Sequence, residues 1–484
     1  MNIKEVFANL SYQAIAINEN TDITSICIKD SDCTPGSAFF CIKGNKTNGL
    51  NYIKNAISKG AVVIISEEYV NNCSIGQIIV TNIRESVALA CDNFYKSPQK
   101  KLRKIAIVGT NGKTTVCELI SFVLNNCGIP CGKIGTFGID YADKHLNTGF
   151  TTPDTPTIYS ALRDMVDSGM QAVCMELSAH AIHYNKANFK FDVTVFTNCT
   201  PEHLDFFESF DQYRETKVSA FKSKNSKLAV VNVDDITGQL ISCMRGRGLI
   251  TYGIENPADV FAIDYSEDEN GMNFVINLFD TLHEIKNSYI GKFNLYNILA
   301  TATTCALLGA RTKEIAYHLC NVPIVKGRME KVSDKIKIYV DYAHTPEGLK
   351  LALKTLSEIR EAGKLICVFG CGGNRDATKR EIMGEISGEL ADFTVITSDN
   401  PRFEEAQFII SQIERGIRRK TQNYITISDR EQAIEYAVSK ACEGDYILIA
   451  GKGAEEYQEQ MGVFRRFSDK EIAQKSVINK YDEL

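Results

Sequence analysis

Along the 484 residues, apolar positions fall into short β-branched runs that alternate with stretches of helical spacing. Residues 105–108 (Ile-Ala-Ile-Val) predict a buried strand, which breaks at Gly109-Thr-Asn-Gly112. Lys113-Thr114-Thr115 then opens a helix with Val116, Leu119, Ile120 and Val123 on one face. The rhythm continues with strands expected over 133–139, 171–175, 191–196 and 228–232, and helices over 155–168 and 211–223. A hairpin over 261–278 turning at 268–271 follows, then a long helix from Asn294. Such alternation predicts a mostly parallel sheet covered on both faces. Upstream, Pro35-Gly36 turns into a strand reaching residue 42, a helix over 52–58 stops at Gly60, and a strand follows over 61–65. Downstream, strands over 336–340, 364–369, 393–397, 424–427 and 446–450 alternate with helices. The polar, proline-containing segment 97–101 marks a boundary. The expectation is α/β with three domains: a small N-terminal α/β domain (1–97), a central P-loop-type sheet domain (98–325) and a C-terminal Rossmann-like domain (326–484).

Composition narrows the class. Hydrophobic residues at 44% and charged residues at 24% are ordinary globular values, and a net charge of −6 argues against a nucleic-acid or membrane-surface footprint. No apolar run approaches the ~20 residues of a membrane span, and the N-terminus lacks a signal-peptide core. A cytoplasmic monomer acting on small molecules is expected. The sixteen cysteines are scattered without a C-x-x-C pair, so they are expected as buried apolar residues in a reducing compartment rather than as zinc ligands.

The chemistry centres on residues 109–115. A strand, a glycine turn and a helix N-terminus form a phosphate cradle, in which Lys113 adds a charge and Thr114 a hydroxyl for Mg²⁺. The general motif has a further glycine where Ile107 stands, so the loop is a shortened version. Glu176 follows the 171–175 strand, where it serves as readily to cap a helix as to hold a hard cation. His203 and Asp205 follow the next strand. A lone histidine is more often structural, and Lys217 alone reads as a surface lysine on a helix. In the last domain, Gly370-Cys-Gly-Gly373, Ser398-Asp-Asn-Pro-Arg402 and Gly451-Lys-Gly453 follow strands at the edge where open α/β sheets bind ligands.

Taken in order, Gly109-Thr-Asn-Gly-Lys-Thr-Thr115, Glu176-Leu-Ser, His203-Leu-Asp205, Gly291-x-x-Asn294-x-x-Asn297, Gly327-Arg-Met-Glu330 and Asp341-Tyr-Ala-His-Thr-Pro-Glu347 resemble the Mur ligase family along nearly the whole chain. The resemblance implies ATP and Mg²⁺ as cofactors. It assigns Gly109, Thr110, Asn111, Gly112, Lys113, Thr114, Thr115, Asn294, Asn297, Arg328 and Asp341 to ATP. It makes Thr114, Glu176, His203 and a carbamylated Lys217 the metal ligands, with Lys113, Glu176, His203 and Lys217 catalytic. Without it, Asn294 and Asn297 would pass as a helix start and an exposed turn. Arg375, Asp399, Asn400, Arg402, Gly451 and Glu455 match an amino-acid site of the type that takes meso-diaminopimelate, where Arg402 offers a bidentate fork to the distal carboxylate. Ser31, Thr151, Thr152, Ser178 and Lys186 match the UDP-substrate site.

The implied reaction is ATP-dependent amide-bond formation between UDP-N-acetylmuramoyl-L-alanyl-D-glutamate and meso-diaminopimelate through an acyl phosphate, a step in peptidoglycan precursor synthesis that bears on cell shape and division. The departures cluster at the acceptor: Asp32, Ala179, Tyr184 and Lys186 replace the family's usual arginine, serine, glutamine and arginine, whereas Asn374 and Ala454 are mild changes at the amino-acid site. Three alternatives stay open. They are a divergent but ordinary diaminopimelate-adding enzyme, an L-lysine-adding one, and a paralogue acting on another carboxylate.

Overall fold

The computed structural model describes residues 1–44 and 47–482. Three sheets succeed one another along the chain. The first has five strands: Ser25–Cys27, Ser37–Phe40, Ala61–Ser66 and Gly76–Ile79 run parallel, and Gln13–Ile15 closes one edge antiparallel. The second has eleven strands. Its parallel centre runs Ser226–Asn232, Phe191–Phe196, Arg103–Val108, Ala172–Glu176 and Cys131–Gly135, with antiparallel hairpins at both margins. The third has six strands, all parallel except the edge strand Glu330–Ser333.

The phosphate-turn strand shows why the pattern folds this way. Alternate side chains leave opposite faces of a strand. Ile105 and Ile107 therefore enter the core beneath helices Lys113–Asn126 and Lys292–Leu307, whereas Ala106 and Val108 enter the core beneath Thr155–Asp167. All four are fully buried. Truncating Ile107 to alanine would cost about 2–5 kcal/mol by the usual cost of core cavities.

Some elements differ from the sequence expectation. The strand expected over 133–139 is a hairpin, Cys131–Gly135 paired with Gly138–Tyr141. Gly138 at φ +112° reverses the chain, and period-2 alternation survives the turn and so disguises it. The helix expected over 211–223 ends at Ser219, where the Asn225 side chain donates to the Ser219 carbonyl at 2.8 Å. Glu176 is the last residue of its strand rather than the first of the loop. A third hairpin strand, Leu282–Asn287, and a separate two-stranded sheet, Tyr457–Gln460 with Val463–Arg466, were not anticipated. Among the described residues no helix is long and apolar enough to cross a membrane.

Candidate active site

The phosphate turn is fixed by space as well as by hydrogen bonds. Gly112 has φ +84°, and a Cβ there would sit 2.4 Å from Asn297 Oδ1; a Cβ on Gly109 would sit 1.8 Å from Thr197 Oγ1. The segment after strand Phe191–Phe196 staples the turn. The Asn111 N–H donates to Asn198 Oδ1 at 2.9 Å, the Thr110 N–H to the Asn198 carbonyl at 2.9 Å, and Thr197 Oγ1 to the Asn111 carbonyl at 2.7 Å. Lys113 Nζ folds back onto the carbonyls of Gly109 (2.9 Å) and Thr110 (2.8 Å). Its proton affinity is lowered by desolvation, against the pull of Glu202 and Glu176.

Glu176 is 1% exposed and accepts three hydrogen bonds. Thr114 Oγ1 donates to it at 2.9 Å, Thr136 Oγ1 at 3.1 Å and the Thr136 N–H at 2.8 Å. Thr136 sits in the hairpin turn that the sequence pattern concealed.

Lys217 is 1% exposed, with Nζ 2.9 Å from Thr110 Oγ1 and 4.3 Å from the Tyr213 ring centre. Desolvation and the charge of Lys113 lower its pKa to about 7, so a large part of its amine is unprotonated near neutrality. His203 adopts a left-handed backbone (φ +58°) and packs edge-on to His180 at 4.9 Å. Burial pushes its pKa down to about 4, leaving a neutral imidazole.

Glu202, which sequence reasoning passed over, lies between these groups. It is 3.0 Å from His344 Nε2 and 3.7 Å from His203 Nε2, and the Tyr213 hydroxyl donates to it at 3.3 Å. Burial raises its pKa, but the His344 hydrogen bond and the charges around it prevail and hold it well below the usual carboxylate range. Its position beside His203 at a strand end was the available signal.

The third sheet closes the site from above. Arg328 Nη2 donates to Thr114 Oγ1 at 3.0 Å while its guanidinium lies 4.3 Å from the Tyr342 ring. The Asp341 carboxylate accepts from the Met329 and Ala343 N–H groups at 2.7 and 2.8 Å, which shapes this corner; burial raises its pKa. Asn400 Nδ2 donates to Glu455 Oε2 at 2.9 Å, and the fully buried Lys452 Nζ donates to Asn400 Oδ1 at 2.9 Å. Asn374 keeps its loop in place by accepting from the Phe403 N–H at 2.9 Å, a bond that the family's aspartate would make equally.

A cavity of about 370 Å³ joins these walls. The phosphate turn (110–114), Thr151, Glu176, Ser178 and His203 line one side. Arg328, Arg375, Asp399, Asn400, Arg402, Gly451 and Glu455 line the other. Lys217 lies just behind Thr110. Thr152 and Lys186 line an adjoining cleft of about 1320 Å³, with Lys186 Nζ donating to the Thr152 carbonyl at 2.9 Å. Gly109, Thr115 and Asp341 stand behind the wall. Asn294 and Asn297, which on sequence alone would pass as a helix start and an exposed turn, are both buried: Asn297 buttresses Gly112, and Asn294 Nδ2 donates to the Ile290 carbonyl at 2.8 Å. Ser31 lines neither space; it lies on the turn Asp30–Asp32 and donates to Asp32 at 2.7 Å. At the seam between the first two sheets, Lys29 pairs with Asp154 at 3.2 Å and the Arg84 guanidinium covers the Tyr184 ring at 4.2 Å.

Known proteins share this organisation. Family models describe residues 22–98 as the catalytic domain of the Mur ligase family, 107–305 as the Mur ligase middle domain and 327–453 as the Mur ligase glutamate ligase domain. The UDP-N-acetylmuramoyl-L-alanyl-D-glutamate–2,6-diaminopimelate ligase of Caldanaerobacter subterraneus is 38% identical over 446 residues, covering 91% of this chain and 92% of that protein. The enzyme of the same name from Alkaliphilus oremlandii is 37% identical, covering 98% of both chains. A solved structure of a ligase of this name superposes with a TM-score of 0.69 at 27% identity, covering 99% of both chains. With family models matching 22–98, 107–305 and 327–453 and relatives of 37–38% identity covering more than nine-tenths of its length, this chain belongs to the Mur ligase family.

Proposed function

We propose that the chain is an ATP-dependent amide-bond ligase that joins meso-diaminopimelate to UDP-N-acetylmuramoyl-L-alanyl-D-glutamate. The observation that carries the reading is the meeting, across one cavity, of a phosphate turn and a wall bearing Arg402, Arg375 and Glu455. Two cations and an anion suit the far end of a diamino acid, which carries both a carboxylate and an ammonium. L-lysine has no distal carboxylate for Arg402. The names of the relatives support the same substrate.

In the reaction, the acceptor carboxylate attacks the γ-phosphorus of ATP and ADP departs. The diamino acid's amine then attacks the acyl phosphate carbon, loses a proton and expels phosphate. Lys113 neutralises charge building on the transferred phosphoryl group, and the rigid turn presents its N–H groups without reorganising. Arg328 and Tyr342 cover the turn from the third sheet and exclude the water that would hydrolyse the acyl phosphate.

The donor set fits Mg²⁺. Thr114 Oγ1 and the Glu176 carboxylate stand 2.9 Å apart on the cavity wall that also bears His203, and Mg²⁺ keeps waters and takes phosphate oxygens with only one or two carboxylates. Thr114, Glu176 and the neutral His203 would hold it, and when bound it supplies charge compensation for the phosphates. Lys217 is suited to carbamylation. Its unprotonated amine can attack CO₂ and release a proton, which replaces a buried cation with an anionic oxygen ligand. We place the reaction in the cytoplasm and in a monomer.

At the acceptor, Lys186, Lys29 and Arg84 supply cations from two domains where the family's usual arginines are missing. This favours an anionic, nucleotide-linked acceptor over a different carboxylate. The test is phosphate release with UDP-N-acetylmuramoyl-L-alanyl-D-glutamate, comparing meso-diaminopimelate with L-lysine. Turnover with the first is expected. Turnover with lysine alone overturns the Arg402 assignment, and failure with both while ATP still binds promotes a paralogue with another acceptor.

A further inference from the structure

Resting on the diaminopimelate reading above, we infer that Glu459, on the small hairpin after the glycine turn at 451–453, is the positioning residue that aims Arg402 and thereby sets selectivity for the diamino acid. Arg402 sits in the left-handed region at φ +54°, a conformation costly for a side chain of this size that persists only where its surroundings impose it. The hairpin imposes it. The Arg402 N–H donates to the Glu459 carbonyl at 3.1 Å, and the Met461 N–H donates to the Arg402 carbonyl at 2.7 Å. The Glu459 carboxylate then pairs with Arg402 Nε at 3.2 Å, while Arg402 Nη1 donates to the Gly373 carbonyl at 2.9 Å. A guanidinium anchored at Nε on one side and at Nη1 on another has lost most of its rotational freedom, which is the main cost of ordering a long side chain around a ligand.

The same residue reaches the rest of the wall. Its N–H donates to Asn400 Oδ1 at 2.9 Å, and Asn400 in turn donates to Glu455 Oε2 at 2.9 Å. Gln458 adds a bond from Nε2 to the Asp399 carbonyl at 2.8 Å. Glu459 lines neither the 370 Å³ cavity nor the adjoining cleft, so it acts through Arg402 rather than on substrate. The hairpin, strands Tyr457–Gln460 and Val463–Arg466, forms a sheet of its own, separate from the six-stranded sheet. Its stitching to residues 398–402 therefore has the character of a clamp on that loop rather than of core structure.

The experiment measures steady-state phosphate release by the full chain and its Glu459→Ala and Glu459→Gln variants, varying meso-diaminopimelate, L-lysine and ATP in turn. For Glu459→Ala the KM for diaminopimelate is expected to rise by about tenfold or more, the scale of one lost charge-assisted contact. Its kcat and the KM for ATP should stay within about twofold, and preference for diaminopimelate over lysine should fall in proportion. Glu459→Gln keeps an acceptor for Nε–H and should recover part of the loss. Three results overturn the inference: an unchanged KM for diaminopimelate, equal losses for every substrate, or a Gln variant as impaired as Ala with a lowered thermal midpoint. The two readings separate cleanly. Wild-type turnover that does not depend on diaminopimelate removes the proposed function and this inference together. Diaminopimelate turnover indifferent to Glu459 removes this inference alone.

Discussion

The two walls of the cavity are built by different means. The phosphate wall is a short piece of backbone held by its neighbours: Gly109 and Gly112 have no room for a side chain, and Asn198 and Thr197 staple the turn between them. The opposite wall is made of long charged side chains, Arg375, Arg402 and Glu455, of which Arg402 is held by Glu459 and Glu455 by the buried Lys452. Chemistry common to ATP enzymes is thus carried by steric fit and backbone dipoles, and the choice of amine by ion pairs that one substitution can retune.

The sharpest way to break this division is at Lys217. Lys217→Ala should lower kcat more than about a hundredfold with little change in the KM for the diamino acid, and added formate or acetate should restore part of it. Full activity in a phosphate-release assay would show that the wall works without this group. The next effect is steric. Gly112→Ala combines a positive φ with the Asn297 clash and should weaken ATP binding about tenfold or more. Asn297→Ala added to it removes the clash but not the backbone strain, so nucleotide titration should show partial recovery, and none would mean that space was not the constraint. The smallest effect concerns the other wall. Burial raises the pKa of Asp399, but Lys452 and Arg430 overcome this and hold it below the ordinary value. A depressed carboxylate stabilises the fold above its unfolded pKa of about 3.9 and loses that contribution as pH falls through the folded value. Thermal midpoints of wild type and Asp399→Asn should therefore differ by a constant amount above about pH 4 and draw together progressively as the pH falls further. A gap that does not narrow as the pH is lowered through the acid range would exclude the ionic origin.

Legibility in the sequence followed the same division. Residues 109–115 and Glu176 could be found because strand, turn and carboxylate stand in a fixed local order. Thr136 was hidden because a hairpin turn kept the alternation of one strand. Asn294 and Asn297 were legible only through the family resemblance, because a helix buried on nearly all sides gives no amphipathic signal. Glu202 stood next to a residue already chosen and was missed, since its partners His344 and Tyr213 come from distant segments. The pairs Lys29–Asp154 and Arg84–Tyr184 join different domains and leave no local trace. The hairpin at 457–466 exposes Met461, Val463 and Phe464 and supplies no core residue, so neither period marks it.

Thr114 presents a single hydroxyl, whose hydrogen goes to Glu176 and whose lone pair receives the Arg328 guanidinium. That oxygen is thus one of the points, with the Glu202–His344 pair, at which the middle and last parts of the chain meet over the cavity. Any change that withdraws Arg328 would leave this hydroxyl bonded to the middle sheet alone, so the seat of Glu176 depends in part on a residue more than 150 positions further along the chain.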